Sequence, residues 1–342
     1  MLDIIFRLLA CLGLLAAGGF VALNILAWTH ARALLNYTID GSQTGHPDGL
    51  SRLQKATVLF EGINVPRPVG LQTPLDFGIP YVRVRIPTPS GIDLGAWHCP
   101  GDRADSPIVL LFHGYAMDKS SLLPEAAAFH SMGLACLLVD FRGSGESSGS
   151  HTTLGVHEGE DVAAAFRHAR GCFPGARLVL FGQSMGSAAI LRAIRKDPGV
   201  KPAAIVLESV FDSMLRTAMN RFSIMRMPAF PQAHLLVFWG GRQFGFNAFR
   251  HNPADYARAV TCPSLFLQGG GDVKARPEDA RRVYDAVSSV HKEFCQFAGI
   301  GHESYVARMP EDWRQTASAF FRRHGLLDSN TPADFTGPGS RA

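Results

Sequence analysis

Gly182-Gln183-Ser184-Met185-Gly186 fits the spacing G-x-S-x-G, in which two glycines allow a tight turn and leave a serine hydroxyl at its apex. A serine hydroxyl becomes a nucleophile only when a base takes its proton, and the base in turn needs a carboxylate to hold its tautomer and stabilise the imidazolium. Of the 13 histidines, His302 stands in the glycine-rich run Gly299-Ile300-Gly301-His302-Glu303, and Asp272 ends Gln268-Gly269-Gly270-Gly271-Asp272. The order serine, aspartate, histidine is the one expected when the serine sits on a strand-to-helix elbow. Together these residues would carry out acyl transfer through a covalent serine ester. Each has a plainer reading: a turn serine, a surface or helix-capping histidine, a β-turn aspartate. Glu208 and Asp212 are rival carboxylates.

Acyl transfer also needs backbone donors for the oxyanion. The amide of Met185, directly after the serine, is one candidate, and the amide of Tyr115 in His113-Gly114-Tyr115 is the other, with Ala116 as a near alternative. His113 reads as a structural hydrogen-bonding residue before it reads as a base. The run Asp140-Phe141-Arg142-Gly143-Ser144-Gly145-Glu146-Ser147 reads as a loop whose charges hold its shape, its glycines permitting unusual dihedrals.

These residues must be delivered to one place, and the surrounding sequence shows how. Tyr81 to Ile86 alternates apolar and charged residues, and Ile92 to His98 repeats the pattern after a Pro-Ser-Gly turn, predicting a hairpin. Ile108 to Phe112, Leu134 to Val139, Arg177 to Phe181, Ala203 to Leu207, Ser264 to Gln268 and His291 to Phe297 are short apolar runs. Helical stretches separate them at 120–131, 159–170, 185–196 and 277–287, with a last one at 302–321. Strand and helix in alternation require a mostly parallel sheet covered on both faces. Ser184 then falls between a buried strand and a helix, Asp272 follows the penultimate strand and His302 the last. All three lie at the carboxyl edge of the sheet, where ligands of open α/β sheets bind.

The motifs as a set resemble the α/β-hydrolase superfamily, in its serine aminopeptidase-like or BEM46-like branch. His113-Gly114, Asp140-x-Arg142-Gly143-x-Gly145-x-Ser147, Gly182-x-Ser184-x-Gly186, Gly271-Asp272 and Gly301-His302 stand in that order between about Tyr81 and Arg323. Tyr115 departs from the pattern, since many relatives carry a small polar residue there. The resemblance implies an α/β-hydrolase fold with an eight-stranded mostly parallel sheet, helices on both faces and a short lid insertion. It also implies a serine hydrolase. A carboxylic ester with an apolar acyl or alcohol group is the leading substrate, with peptidase, thioesterase or acyltransferase chemistry as the alternative and a non-catalytic membrane scaffold as a distant third. One fold hosts all of these, so the motifs do not select among them.

The expected organisation is a transmembrane anchor or signal segment at 1–30, a connector at 31–77, the α/β-hydrolase domain at 78–325 with a lid insertion at about 209–261, and a disordered tail at 326–342. From Ile4 to Trp28 the chain is nearly all Leu, Ala, Ile, Val, Phe and Gly, interrupted by Arg7 and Asn24. That is long enough for about 30 Å of hydrocarbon at 1.5 Å per residue. An uncleaved single-pass anchor leads, and a cleaved signal peptide competes. Arg7 on one flank is answered by Arg32 on the other, so the side of the membrane stays open. The insertion carries Met214, Met219, Phe222, Met225, Met227, Phe230, Phe238 and Trp239, which suit either a lid lining an acyl-chain pocket or packing onto the sheet.

Over all 342 residues, 46% are hydrophobic and 18% charged, with a formal charge of +4. No long basic run argues for nucleic acid. The six cysteines lack CxxC spacing and read as packing residues, with a disulfide left open on the outer side of a membrane. No Cys/His cluster has zinc spacing, and neither metal nor organic cofactor is expected. The expected partners are a small-molecule or lipid-like ester substrate and the membrane itself.

Overall fold

A computed structural model of the chain describes residues 2–39, 42, 44 and 51–328; most of the expected tail lies outside the described residues. The chain separates into two compact units, one made of 67–213 with 252 onward and the other of 1–66 with 214–251.

The larger unit holds eight strands in one sheet: β1 (Val82–Pro87), β2 (Asp93–Cys99), β3 (Ile108–Phe112), β4 (Ala135–Val139), β5 (Leu178–Gln183), β6 (Ala204–Glu208), β7 (Ser264–Gly269) and β8 (Lys292–Phe297). Their order is β1-β2-β4-β3-β5-β6-β7-β8. The hairpin β1–β2 is antiparallel and joins β4 antiparallel, and every later pair is parallel. Strands β3 to β7 are buried throughout. Period-two alternation sends their side chains to two cores: Ile108, Leu110 and Phe112 pack on one face, Val109 and Leu111 on the other. Helices α3 (Leu123–Ser131), α4 (Glu158–Cys172), α5 (Met185–Lys196), α8 (Pro253–Ala257), α9 (Pro277–Ala286), α10 (Tyr305–Arg308) and α11 (Pro310–Arg323) belong to this unit. This is the α/β-hydrolase architecture expected from the motifs.

One element differs from its expectation. The single helix predicted over 302–321 is two helices, α10 and α11, separated at Met309, which has φ −137° and ψ 64°. Pro310 lacks an N–H and disfavours helical backbone in the residue before it, so the helix is interrupted there. The first of them starts at Tyr305 with Ser304 as its N-cap, so His302 lies in a loop and not at a helix start.

The smaller unit is helical. α1 (Leu2–Leu35) is 34 residues long and apolar enough to cross a membrane. Its residues 2–22 are all exposed, whereas Ala31 and Leu35 are buried. α2 (Arg52–Glu61) begins at a capping box, Ser51 accepting from the Gln54 amide and the Gln54 side chain from the Ser51 amide. The inserted segment folds into α6 (Met214–Ile224) and α7 (Gln232–Gln243). α7 packs on α1: Trp239 Nε1 donates to Asn24 Oδ1 at 3.1 Å and Gln243 Nε2 to the Trp28 carbonyl at 3.2 Å. A Cβ added at Gly240 would sit 3.3 Å from Leu35 Cδ1, so a residue without a side chain permits the close approach.

Candidate active site

Strand β5 runs straight into the elbow. Ser184 has φ 52° and ψ −107°, a conformation that costs energy for a residue with a side chain and recurs at catalytic turns. The flanking glycines are needed for space. A Cβ at Gly186 would lie 2.1 Å from the Phe112 carbonyl oxygen, and one at Gly182 would lie 2.6 Å from both Gly186 C and Ser187 N. The turn is tied down from β6, where the Glu208 carbonyl accepts from the Ser184 amide at 2.8 Å and from Ser187 Oγ at 3.0 Å. Ser184 also opens α5, so its hydroxyl stands at a positive helix end.

Asp272 and His302 are in contact. Asp272 Oδ2 lies 2.7 Å from His302 Nδ1, while Oδ1 accepts from the amides of Lys274 at 2.8 Å and Ala275 at 2.9 Å. Asp272 is buried and the His302 side chain is 21% exposed. With Nδ1–H donated to the carboxylate, Nε2 keeps the lone pair a general base uses. The loops that carry the two residues are joined directly: the Gly270 amide donates to the Phe297 carbonyl at 2.7 Å and the Gly271 amide to the Ile300 carbonyl at 2.8 Å. A Cβ at Gly269 would sit 2.5 Å from the Ile300 oxygen, which accounts for the glycine run before Asp272.

A residue absent from the sequence reading ties these parts together. Tyr305 Oη lies 2.5 Å from Ser209 Oγ and accepts from the Gly269 amide at 2.7 Å. It thereby links the end of β6, which holds the elbow, to the end of β7, which leads to Asp272. Burial pushes its hydroxyl pKa upward, so it stays neutral. No local pattern announces this role, because its partners are 96 and 36 residues away.

The predicted oxyanion donors lie on both sides of the β3–β5 junction, where the chain order of the sheet reverses. Met185 is the first residue of α5, and the first amides of a helix have no partner within it. Tyr115 follows the end of β3; its partly buried side chain packs against the core, and the next residue, Ala116, has φ 54°. Across this edge Ala116, Ser184 and Ser209 all take left-handed backbone.

His113 is fully buried, places Nδ1 2.8 Å from the Gly114 carbonyl and accepts at Nε2 from the Phe141 amide at 3.1 Å. Burial lowers its pKa, so it is a neutral brace between two loops. The Asp140 loop is likewise held by its charges. Asp140 accepts from Lys119 Nζ at 2.5 Å, from the Lys119 amide at 2.8 Å and from the Glu146 amide at 2.8 Å, and a Cβ at Gly145 would collide with its carboxylate. Arg142 pairs with Asp161 at 2.6 Å, both buried.

The rival carboxylates are committed elsewhere. Glu208 is buried, accepts from Trp313 Nε1 at 2.6 Å, and has its pKa raised well above the usual range by burial, with the nearby charge of Glu125 adding to it. Asp212 pairs with Arg282 Nε at 2.7 Å. Among the described residues no cluster of His, Cys, Asp and Glu could hold a metal ion, and all six cysteines are free thiols.

Comparisons with known proteins agree with this architecture. The family described as serine aminopeptidase, S33, matches residues 104–255. The protein bem46 of Schizosaccharomyces pombe is 24% identical over 292 residues, covering 83% of this chain and 90% of its own length. The lysophosphatidylserine lipase ABHD12 of Danio rerio is 22% identical over 259 residues, covering 68% of this chain and 66% of its own. Among solved structures, the Pyrococcus furiosus esterase Pf2001 superposes with a TM-score of 0.64 at 24% identity, over 76% of this chain and 97% of the esterase.

Proposed function

We propose that the chain is a membrane-held serine hydrolase of the α/β-hydrolase superfamily, acting on carboxylic esters that bear an apolar acyl or alcohol group. The observation that carries the proposal is the Asp272–His302 pair at 2.7 Å, held at the same sheet edge as a serine in a left-handed elbow. In this reading Ser184 Oγ attacks the ester carbonyl while His302 Nε2 takes its proton. The amides of Met185 and Tyr115 stabilise the oxyanion, and Asp272 stabilises the imidazolium. His302 then returns the proton to the departing alcohol, leaving an acyl-serine. Water attacks that ester with His302 again as base, releasing the acid and restoring Ser184.

Two observations favour esters over peptides with a free amino terminus. Such a peptidase needs an anionic anchor, and the acidic residues nearest in sequence to the elbow strands do not supply one. Glu208 is buried and bonded to Trp313, and Asp212 is paired with Arg282. Two of the relatives are named as a lipase and an esterase, which supports the ester reading even though the matching family is described as serine aminopeptidase. Anchoring is supported by the exposed part of α1: residues 2–22 make about 30 Å of helix, the thickness of a bilayer's hydrocarbon core.

The test is a substrate panel on the purified full chain in detergent, with p-nitrophenyl esters of increasing acyl length beside amino-acid p-nitroanilides. The expected outcome is ester hydrolysis rising with acyl length. A preference for the anilides would contradict the ester assignment and favour the peptidase reading.

A further inference from the structure

The inserted segment Met214–His251 contains five arginines, Arg216, Arg221, Arg226, Arg242 and Arg250, and no Asp, Glu or Lys. Between its two helices the chain turns over at 225–231, and at this tip large apolar side chains are exposed beside Arg226. Ile224 is 46% exposed, Met225 51%, Met227 47% and Phe230 75%. Four large apolar side chains at one hairpin tip, set in a segment with a wholly positive charge, match an element that lies in a membrane interface with its arginines among anionic headgroups.

The packing within the helical unit gives the tip a direction. Trp239 bonds to Asn24 and Gln243 to Trp28, so one turn along α7 corresponds to one turn along α1 and the two run parallel. The amino-terminal end of α7, where the tip lies, therefore points toward the exposed apolar half of α1. The contact begins where the exposed run ends, since residues 2–22 are uncovered and Asn24 is half-buried. An apolar groove lined by Phe20, Val21, Ile25, Trp28 and Trp239 continues the surface between the two helices.

We propose that the α6–α7 hairpin is a second membrane element, dipping its tip into the leaflet at the carboxyl-terminal end of the α1 span and binding anionic lipid. The inference rests on α1 being held in a bilayer. A helix alone is free to tilt; a hairpin beside it limits the tilt, because leaning away from that side would draw the tip out of lipid and into water.

The experiment places the photoreactive residue p-benzoylphenylalanine at Leu15, Phe230 or Val290 of the full chain, in nanodiscs of phosphatidylcholine with or without phosphatidylglycerol. Leu15 lies in the α1 span, and Val290 is an exposed apolar position of the sheet unit at 87%. All three are solvent-facing, so folding is preserved. The expected result is lipid adducts by mass spectrometry at Leu15 and Phe230 and none at Val290, with the Phe230 yield rising several-fold with phosphatidylglycerol. Adducts at Leu15 without any at Phe230 would overturn the hairpin assignment and leave the anchor standing, as would crosslinking of Phe230 to a second copy of the chain. Absence at both positions would remove the anchor and the hairpin together.

Discussion

The sheet unit and the helical unit use the same residue types to opposite ends. In the sheet unit apolar side chains are buried on both faces, and polar groups at the carboxyl edge are locked by bonds such as Asp272 to His302 and Tyr305 to Gly269. In the helical unit apolar residues face outward along α1 and at the α6–α7 tip, and side-chain bonds from Trp239 to Asn24 and from Gln243 to Trp28 join α7 to α1. One is a solid in which each group has one place; the other leaves apolar side chains uncovered, as the proposed seat in a bilayer requires. The sheet edge should therefore tolerate almost no substitution, and the helical unit should tolerate conservative ones while depending on lipid.

The largest effect expected from this difference is at Asp272. Asp272→Asn keeps the size but offers an amide to Nδ1, forcing the imidazole toward the wrong tautomer, and kcat should fall by about 10⁴ while KM changes little. Steady-state ester hydrolysis checks this. A drop of less than tenfold would mean that the pair at 2.7 Å is only structural.

Next come two glycines of the two units. Gly186→Ala pushes a methyl against the Phe112 carbonyl and should cost about 3 kcal/mol or leave the chain insoluble. Gly18→Ala on α1 meets nothing within 4 Å and should leave the melting temperature in detergent unchanged. Equal effects would erase the contrast between the units.

A third test uses pH. Burial raises the Glu125 carboxyl from 4.5 to about 7, against the opposing bond from Ser304. A carboxyl whose folded pKa is raised stabilises the fold fully below its unfolded pKa, and that contribution is lost as pH climbs through the folded value. The melting temperature should fall between pH 4.5 and about 7, and Glu125→Gln should flatten the slope without abolishing it, since Glu208 is shifted in the same direction. An unchanged slope in the variant would show that Glu125 ionises elsewhere. The smallest effect is at Trp239→Phe, which removes the donor to Asn24 and should lower stability by about 1 kcal/mol or less. Thermal melts of the full chain in detergent measure it.

What the sequence makes legible follows from what is local. The elbow, the alternation of strands and helices and the length of α1 are local patterns, and each stands where its residues predict. The bonds that brace the edge are long-range: Tyr305 with Ser209, Lys119 with Asp140 and Glu208 with Trp313 span 96, 21 and 105 residues. The break at Met309 was readable in principle, because Pro310 stands inside the predicted helix. The partnership of the insertion with α1 was not, since an apolar helix reads alike whether it covers a pocket, a sheet or another helix.

The central claim is that Ser184 is the acyl-accepting nucleophile, and the most direct measurement is the site of covalent labelling. Wild type and Ser184→Ala are treated with a fluorophosphonate and digested, and the adduct is located by mass spectrometry. One phosphonylated residue, Ser184, is expected in wild type and none in the variant, with ester hydrolysis lost by about 10³-fold or more. A folded wild type that takes no label, or a label that persists in Ser184→Ala, would contradict it.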